Sequence, residues 1–200
     1  MTTDSSAWFE ELVDAIDENG ELPFAKRRWL QEELKQRVVS QRSDLAWLAL
    51  EVISAHKVEH IWKEQFPSDT DPVDLLRLAD SYLTNDENVD ALTKLSPNVK
   101  TLLDDKLGLG EDYFCAVYAG FACWAAAGNI AYGPSDLTDE GASELEVEPE
   151  FWDASFYASL AWNGAAVWEE GIGDSAKRRE FWTWFICEAV PQAISFARQQ

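Results

Sequence analysis

Basic residues are scarce in this chain: 16 Lys and Arg stand against 37 Asp and Glu, for a formal net charge of -21. A surface of that sign repels nucleic-acid backbones and anionic membranes and attracts basic partners through a long-range field that salt weakens. Cysteine is sparse as well. Cys115, Cys123 and Cys187 are odd in number and form no C-x-x-C pair, which excludes a disulfide framework and a cysteine zinc knuckle. The opening residues, MTTDSSAWFEEL, have neither the basic region nor the apolar run of a secretory signal, so reduced thiols in a bacterial-type cytoplasm are expected. Gly108 and Gly110 lack the third glycine and the Lys-Ser/Thr ending of a phosphate loop, and no G-x-S-x-G elbow occurs. No cofactor is expected. One absence points towards a membrane: Tyr113 to Ser135 holds no charged residue, which is long enough to span a bilayer. That stretch is nevertheless dominated by Ala and Gly, contains Asn129, and is flanked by Glu111, Asp112, Asp136 and Asp139 with no Lys or Arg. A buried central helix explains it better.

What is abundant is apolar. Hydrophobic residues make up 46% of the 200 positions, with ten Trp and ten Phe, enough for a core that needs no staple and too much for a disordered acidic chain. The longest apolar-rich segment without Gly or Pro is Leu45 to Phe66. Leu45, Leu48, Val52, Ala55, Trp62 and Phe66 recur at three- and four-residue steps, while Trp47, Leu50, Val58 and Ile61 line an adjoining face. Only Glu51, Lys57, Glu59, Lys63 and Glu64 break it, so the helix is expected to enter the core first and to surface near Phe66, where Pro67 ends it.

The other elements are laid around that segment. An acidic amphipathic helix is expected from about Ser6 to Glu18, closed by Asn19-Gly20. A basic helix follows from about Phe24 to Ser40, carrying Lys26, Arg27, Arg28, Lys35 and Arg37 with Arg42 beyond it, and the two are expected to pair by charge. Asp71-Pro72-Val73-Asp74 starts a helix that reaches about Leu83. A short segment with Val89, Leu92 and Leu95 precedes a separate helix from Ser96-Pro97 to Leu103. A small-residue helix spans Glu111 to Tyr132, and a second of similar flavour spans about Pro149 to Trp168. These two are expected to form an antiparallel central pair, small face to small face. The last helix, about Ser175 to Arg198, is expected to kink or break at Pro191. The fold class is therefore all-α: a single-domain multi-helix bundle over residues 1–200 with a central Ala/Gly-rich pair, in which 1–42 form an N-terminal helical pair.

Two constellations bear on function. Ser135 to Glu148 carries Asp136, Asp139, Glu140, Glu144, Glu146 and Glu148 without a single Lys or Arg. A one-sided acidic loop on a rigid scaffold is a candidate partner surface. The partner-binding candidates are Asp136, Asp139, Glu140, Glu144 and Glu146. The second is His56-Lys57-Val58-Glu59-His60, which spells H-x-x-E-H on a helix. Two imidazoles four residues apart share a face and are able to hold zinc with Glu59 as general base. Three fixed letters in five arise by chance, no motif supplies a third ligand, and hydrogen-bonded histidines beside the core are the preferred reading. No metal site is assigned.

Three stretches carry a family resemblance: LALEVISAHKVEHIWKEQFPSDTDPVDLLRLADSYL (Leu48 to Leu83), AVYAGFACWAAAG (Ala116 to Gly128) and RREFWTWFICEAVPQAI (Arg178 to Ile194). In that order they resemble the all-helical immunity proteins of bacterial polymorphic toxin systems, specifically the fifth numbered immunity family. The likeness covers roughly Leu45 to the C-terminus and leaves the first forty residues and the acidic loop outside it. It implies a non-enzymatic cytoplasmic protein that binds one cognate toxin domain and blocks its active site or its substrate access. An acidic mimic or adaptor for another basic protein is the alternative, and a zinc hydrolase using His56, Glu59 and His60 is a third.

Overall fold

The computed structural model describes residues 5–38, 44–85, 87–133, 152–166 and 173–200. Among them every regular element is helical: α1 Ser5–Asp14, α2 Phe24–Arg37, α3 Leu45–Gln65, α4 Asp71–Asn85, α5 Val89–Leu107, a 3-10 turn Glu111–Tyr113 that leads into α6 Phe114–Tyr132, α7 Ala154–Asn163, and α8 Ser175–Trp184, which passes through a π turn at Phe185–Ala189 into α9 Val190–Ala197. The all-α bundle matches the reading of the sequence.

Helices α3 and α6 form the centre. Residues Leu45 to Val52 of α3 are all buried, His56 and His60 are exposed on one side, and Lys63, Glu64 and Gln65 are exposed together at the end, the gradient that its charge distribution implied. Helix α6 packs against α3, α4, α5 and α7, which accounts for its lack of charge. With its 3-10 turn it is, among the described residues, the one helix long and apolar enough to cross a membrane. Trp62 is fully buried, and its indole Nε1 donates to the Asp69 carbonyl at 2.6 Å. It lies over Gly120: a Cβ there would stand 2.8 Å from Trp62 Cε3 and 2.4 Å from Leu103 Cδ2. At about 25 cal/mol per Å2, an indole that removes about 200 Å2 from water contributes roughly 5 kcal/mol.

The α6–α7 pair is antiparallel. Tyr157 stacks on Phe121 with centroids 5.2 Å apart, while Gly164 further along α7 lies beside Cys115 at the start of α6. Small residues are not the whole of this contact, because Tyr118, Phe121 and Tyr157 pack there and Gly120 serves α3 and α5 instead. Helix α7 is shorter than expected. Asp153 caps its start and Gly164, at φ +95°, ends it by donating its N–H to Leu160.

Proline shaped two elements differently from the sequence reading. Residues Val89 to Leu107 form one helix with Pro97 inside it, not two. Pro97 offers no N–H to the Thr93 carbonyl four residues back, and the Tyr132 hydroxyl donates to that carbonyl at 3.3 Å instead. At Pro191 the expected interruption takes the form of the π turn, where the Val190 N–H reaches back five residues to the Phe185 carbonyl. The slipped register makes room for the ring that cannot bond one turn back.

Candidate partner-binding surface

Asp136, Asp139, Glu140, Glu144 and Glu146 lie outside the described residues; what the structure describes are the two ends that carry them. At the first end Tyr132 closes α6 with 63% of its surface exposed, and Gly133, at φ +87°, turns the chain in a conformation other residues avoid. At the second end Trp152 packs edge-on to Phe156 at 5.0 Å. Asp153 Oδ1 accepts from the Phe156 N–H at 2.7 Å and from the Ser155 hydroxyl, a helix cap built from the residue type that favours one. Its other oxygen, Oδ2, accepts from Arg27 Nε at 3.0 Å across the bundle.

Beneath these ends is a buried charge cluster. Arg27 is 1% exposed. Besides Asp153 it donates to the Leu22 carbonyl at 2.9 Å and stands 3.7 Å from Glu21. Its guanidinium lies over the rings of Phe156 at 4.8 Å and Trp182 at 5.3 Å, contacts that suit a flat, weakly hydrated cation. Arg178 faces the same Glu21 at 3.6 Å and donates to the Asn19 carbonyl, to Asn163 Oδ1 and to the Ala165 carbonyl. Glu51 completes the group. Its Oε2 accepts from Asn129 Nδ2 at 2.9 Å and from the Ala154 N–H at 2.7 Å. Burial, and then the neighbouring Asp153 charge, push its carboxyl well above the ordinary range. A cavity of about 10 Å3 beside the cluster, lined in part by Gln31, Trp47 and Asn129, leaves almost no free volume.

The H-x-x-E-H residues do not converge. His56 Nε2 lies 2.8 Å from Asp80 on α4 and Nδ1 lies 3.6 Å from Glu59, while His60 sets its ring edge-on to Trp162 on α7. The hydrogen bond to Asp80 raises the His56 pKa. Among the described residues no group of three or more His, Cys, Asp or Glu is arranged to hold a metal ion. Burial pushes the Cys115 and Cys123 thiols up, which removes the thiolate character a nucleophile needs.

The basic helix spreads its charge contacts over α1, its own carboxylates and the core. Lys26 reaches Glu11 at 3.0 Å and Arg37 lies over Trp8. Lys35 instead pairs with Glu32 and Asp44, and Arg37 with Glu33. Arg27 turns inward, and Arg42 lies outside the described residues. The cluster of Glu21, Arg27, Glu51, Asp153 and Arg178 was not anticipated as a unit. Its signals were faint: one carboxylate in the most apolar part of α3, and a Trp-Asp step just after the acidic stretch.

The profile of the family described as Immunity protein Imm5 matches residues 10–192. The chain belongs to the Imm5 family. The match takes in α1 from residue 10, all of α2 and the acidic stretch, so the N-terminal helices and that stretch are part of the Imm5 region and not additions to it. The buried cluster, which joins α2 to α3, α7 and α8, lies wholly within those limits. No curated protein matches the chain by sequence.

Proposed function

We propose that this protein binds one cognate toxin domain and neutralises it as a stoichiometric inhibitor, by covering the toxin's active site or closing its substrate path. The observation that carries this reading is the Imm5 match across residues 10–192. Charge supports a basic toxin as the partner, in preference to nucleic acid or an anionic membrane: from Leu107 to Ala176 the sequence has no Lys, Arg or His. Asp136, Asp139, Glu140, Glu144 and Glu146 fall inside that run, and in this reading they meet the toxin. Complementary charge speeds encounter and penalises wrong partners. Inhibition of this kind asks no catalysis of the protein. Its place is the cytoplasm, where Cys115, Cys123 and Cys187 stay reduced.

The test is co-expression with the product of the adjacent gene, scored by host survival and co-purification. Rescue of growth together with a stable complex is the expected result. A toxic neighbour that this protein neither rescues nor binds would overturn the proposal and favour an acidic mimic or adaptor of another basic protein.

A further inference from the structure

Phe24, Arg27 and Gln31 recur at three- and four-residue steps on the buried side of α2, with Arg28 beside them. Where that side meets Trp47 of α3, Asn129 of α6 and the Asp153 cap of α7, it leaves the cavity of about 10 Å3. Two residues of its wall are out of keeping with their surroundings. Gln31 is only 8% exposed, and Arg28 is half-buried. Among the described residues neither side chain has a hydrogen bond or an ion pair. A buried amide without a partner is costly, and so is a guanidinium half out of water. Asn129 gives one amide N–H to Glu51 and keeps a second. Asp153 is engaged by Arg27 and by its own helix cap. The wall therefore has donors in excess, and its charges are two cations, Arg27 and Arg28, against Asp153 alone.

We infer that this cavity is a socket for one carboxylate of the toxin, an Asp or Glu side chain whose oxygen fills it and accepts from Arg28 and Gln31. This rests on the reading above that the partner is a toxin domain. The volume matches a single oxygen atom and is too small for a whole free molecule of any size. The planar fork of Arg28 suits a carboxylate better than a point charge would. Such a contact does what the general field does not. A net charge of -21 draws a basic partner from any side. One pair of inverted sign, at a fixed point on α2, sets the register and penalises a partner that lacks the carboxylate.

The experiment compares Arg28→Met, Gln31→Leu and Lys94→Met with wild type, against the toxin domain recovered by co-expression and used as an inactive mutant. Lys94 is exposed on α5 and lies outside the cavity, so its loss changes the net charge alone. For a basic toxin the long-range field predicts that losing either cation leaves binding unchanged or tighter. The socket predicts the opposite for Arg28. Arg28→Met should dissociate about thirtyfold faster and Gln31→Leu about fivefold faster, with Lys94→Met as wild type. When the toxin's Asp and Glu residues are converted to amides one at a time, one position should lose its effect in the Arg28→Met background. If Arg28→Met fails to fold, Gln31→Leu and the same scan against it decide. A folded Arg28→Met that binds as Lys94→Met does, or a scan in which no toxin carboxylate couples to Arg28, overturns the socket and leaves the toxin-neutralising reading intact. Saturation of the Gln31 side-chain amide shift by acetate alone, read by NMR, with toxin binding unchanged in Arg28→Met, makes this a site for a free carboxylate and overturns it equally. A toxic neighbour that the wild-type protein neither binds nor rescues removes the toxin-neutralising reading, and the socket with it.

Discussion

Gly120 lies directly beneath the indole of Trp62, with no room for a methyl group between α6 and α3. Gly128, two turns later on the same helix, has nothing within 4 Å of the place a Cβ would take. The same substitution should therefore act in opposite directions. Gly120→Ala should destabilise by about 1–3 kcal/mol through overpacking. Gly128→Ala should stabilise by roughly 0.5–1 kcal/mol through helix propensity alone. Urea unfolding of both reads the contrast, and two shifts of equal sign would show the α3–α6 contact to be misplaced.

Trp62 and Trp124 are not equivalent. Trp62 is fully buried, whereas Trp124 is half-buried beneath Lys100. Trp62→Ala should cost about 3–5 kcal/mol, and Trp124→Ala about half of that. Chemical denaturation checks the ranking.

Arg27→Met keeps most of the side-chain volume and removes the cation that faces Asp153 and Glu21. Breaking one side of a buried ion pair strands charge in the core, so a loss of about 3–5 kcal/mol is expected. A loss below 1 kcal/mol, measured by thermal and urea unfolding, would mean that water reaches those carboxylates.

Glu51 gives stability a pH dependence of definite sign. Burial first and the Asp153 charge second hold its folded-state pKa well above the ordinary carboxylate range, with the Ala154 N–H and then Arg27 opposing. The folded state therefore holds a proton that the unfolded chain gives up. The contribution is fully present below about pH 4.5 and falls as pH rises towards the folded-state pKa, by up to about 1.4 kcal/mol per pH unit. Glu51→Gln has no proton to lose. Its stability relative to wild type should grow as pH rises above about 4.5, and an unfolding midpoint difference that stays constant with pH would contradict a raised Glu51 pKa.

Converting Asp136, Asp139, Glu140, Glu144 and Glu146 to amides should slow association with the toxin domain by roughly tenfold or more at low salt and flatten its salt dependence. Stopped-flow rates across a salt series measure both effects.

Much of the fold was legible in spacing. The width of the apolar surface from Leu45 to Phe66 announced a central helix, and the small residues of α6 announced close neighbours. Boundaries near proline were harder, since Pro97 stays inside α5 only where something else satisfies Thr93. That partner, Tyr132, lies 39 residues on. Arg27 was harder still: it reads as one more cation in a basic run, and its partner Asp153 is 126 residues away.

By itself the sequence determined the class, the charge and the family: periodicity shows which faces must leave water, composition sets the field around them, and the ordered motifs carry the Imm5 likeness. Tertiary structure alone decided which polar residues go inward with those faces. An interior carboxyl or guanidinium is tolerable only where donors and acceptors from distant segments converge on it, and Glu51, Arg27 and Asp153 meet that condition only once α2, α3, α6 and α7 are packed together.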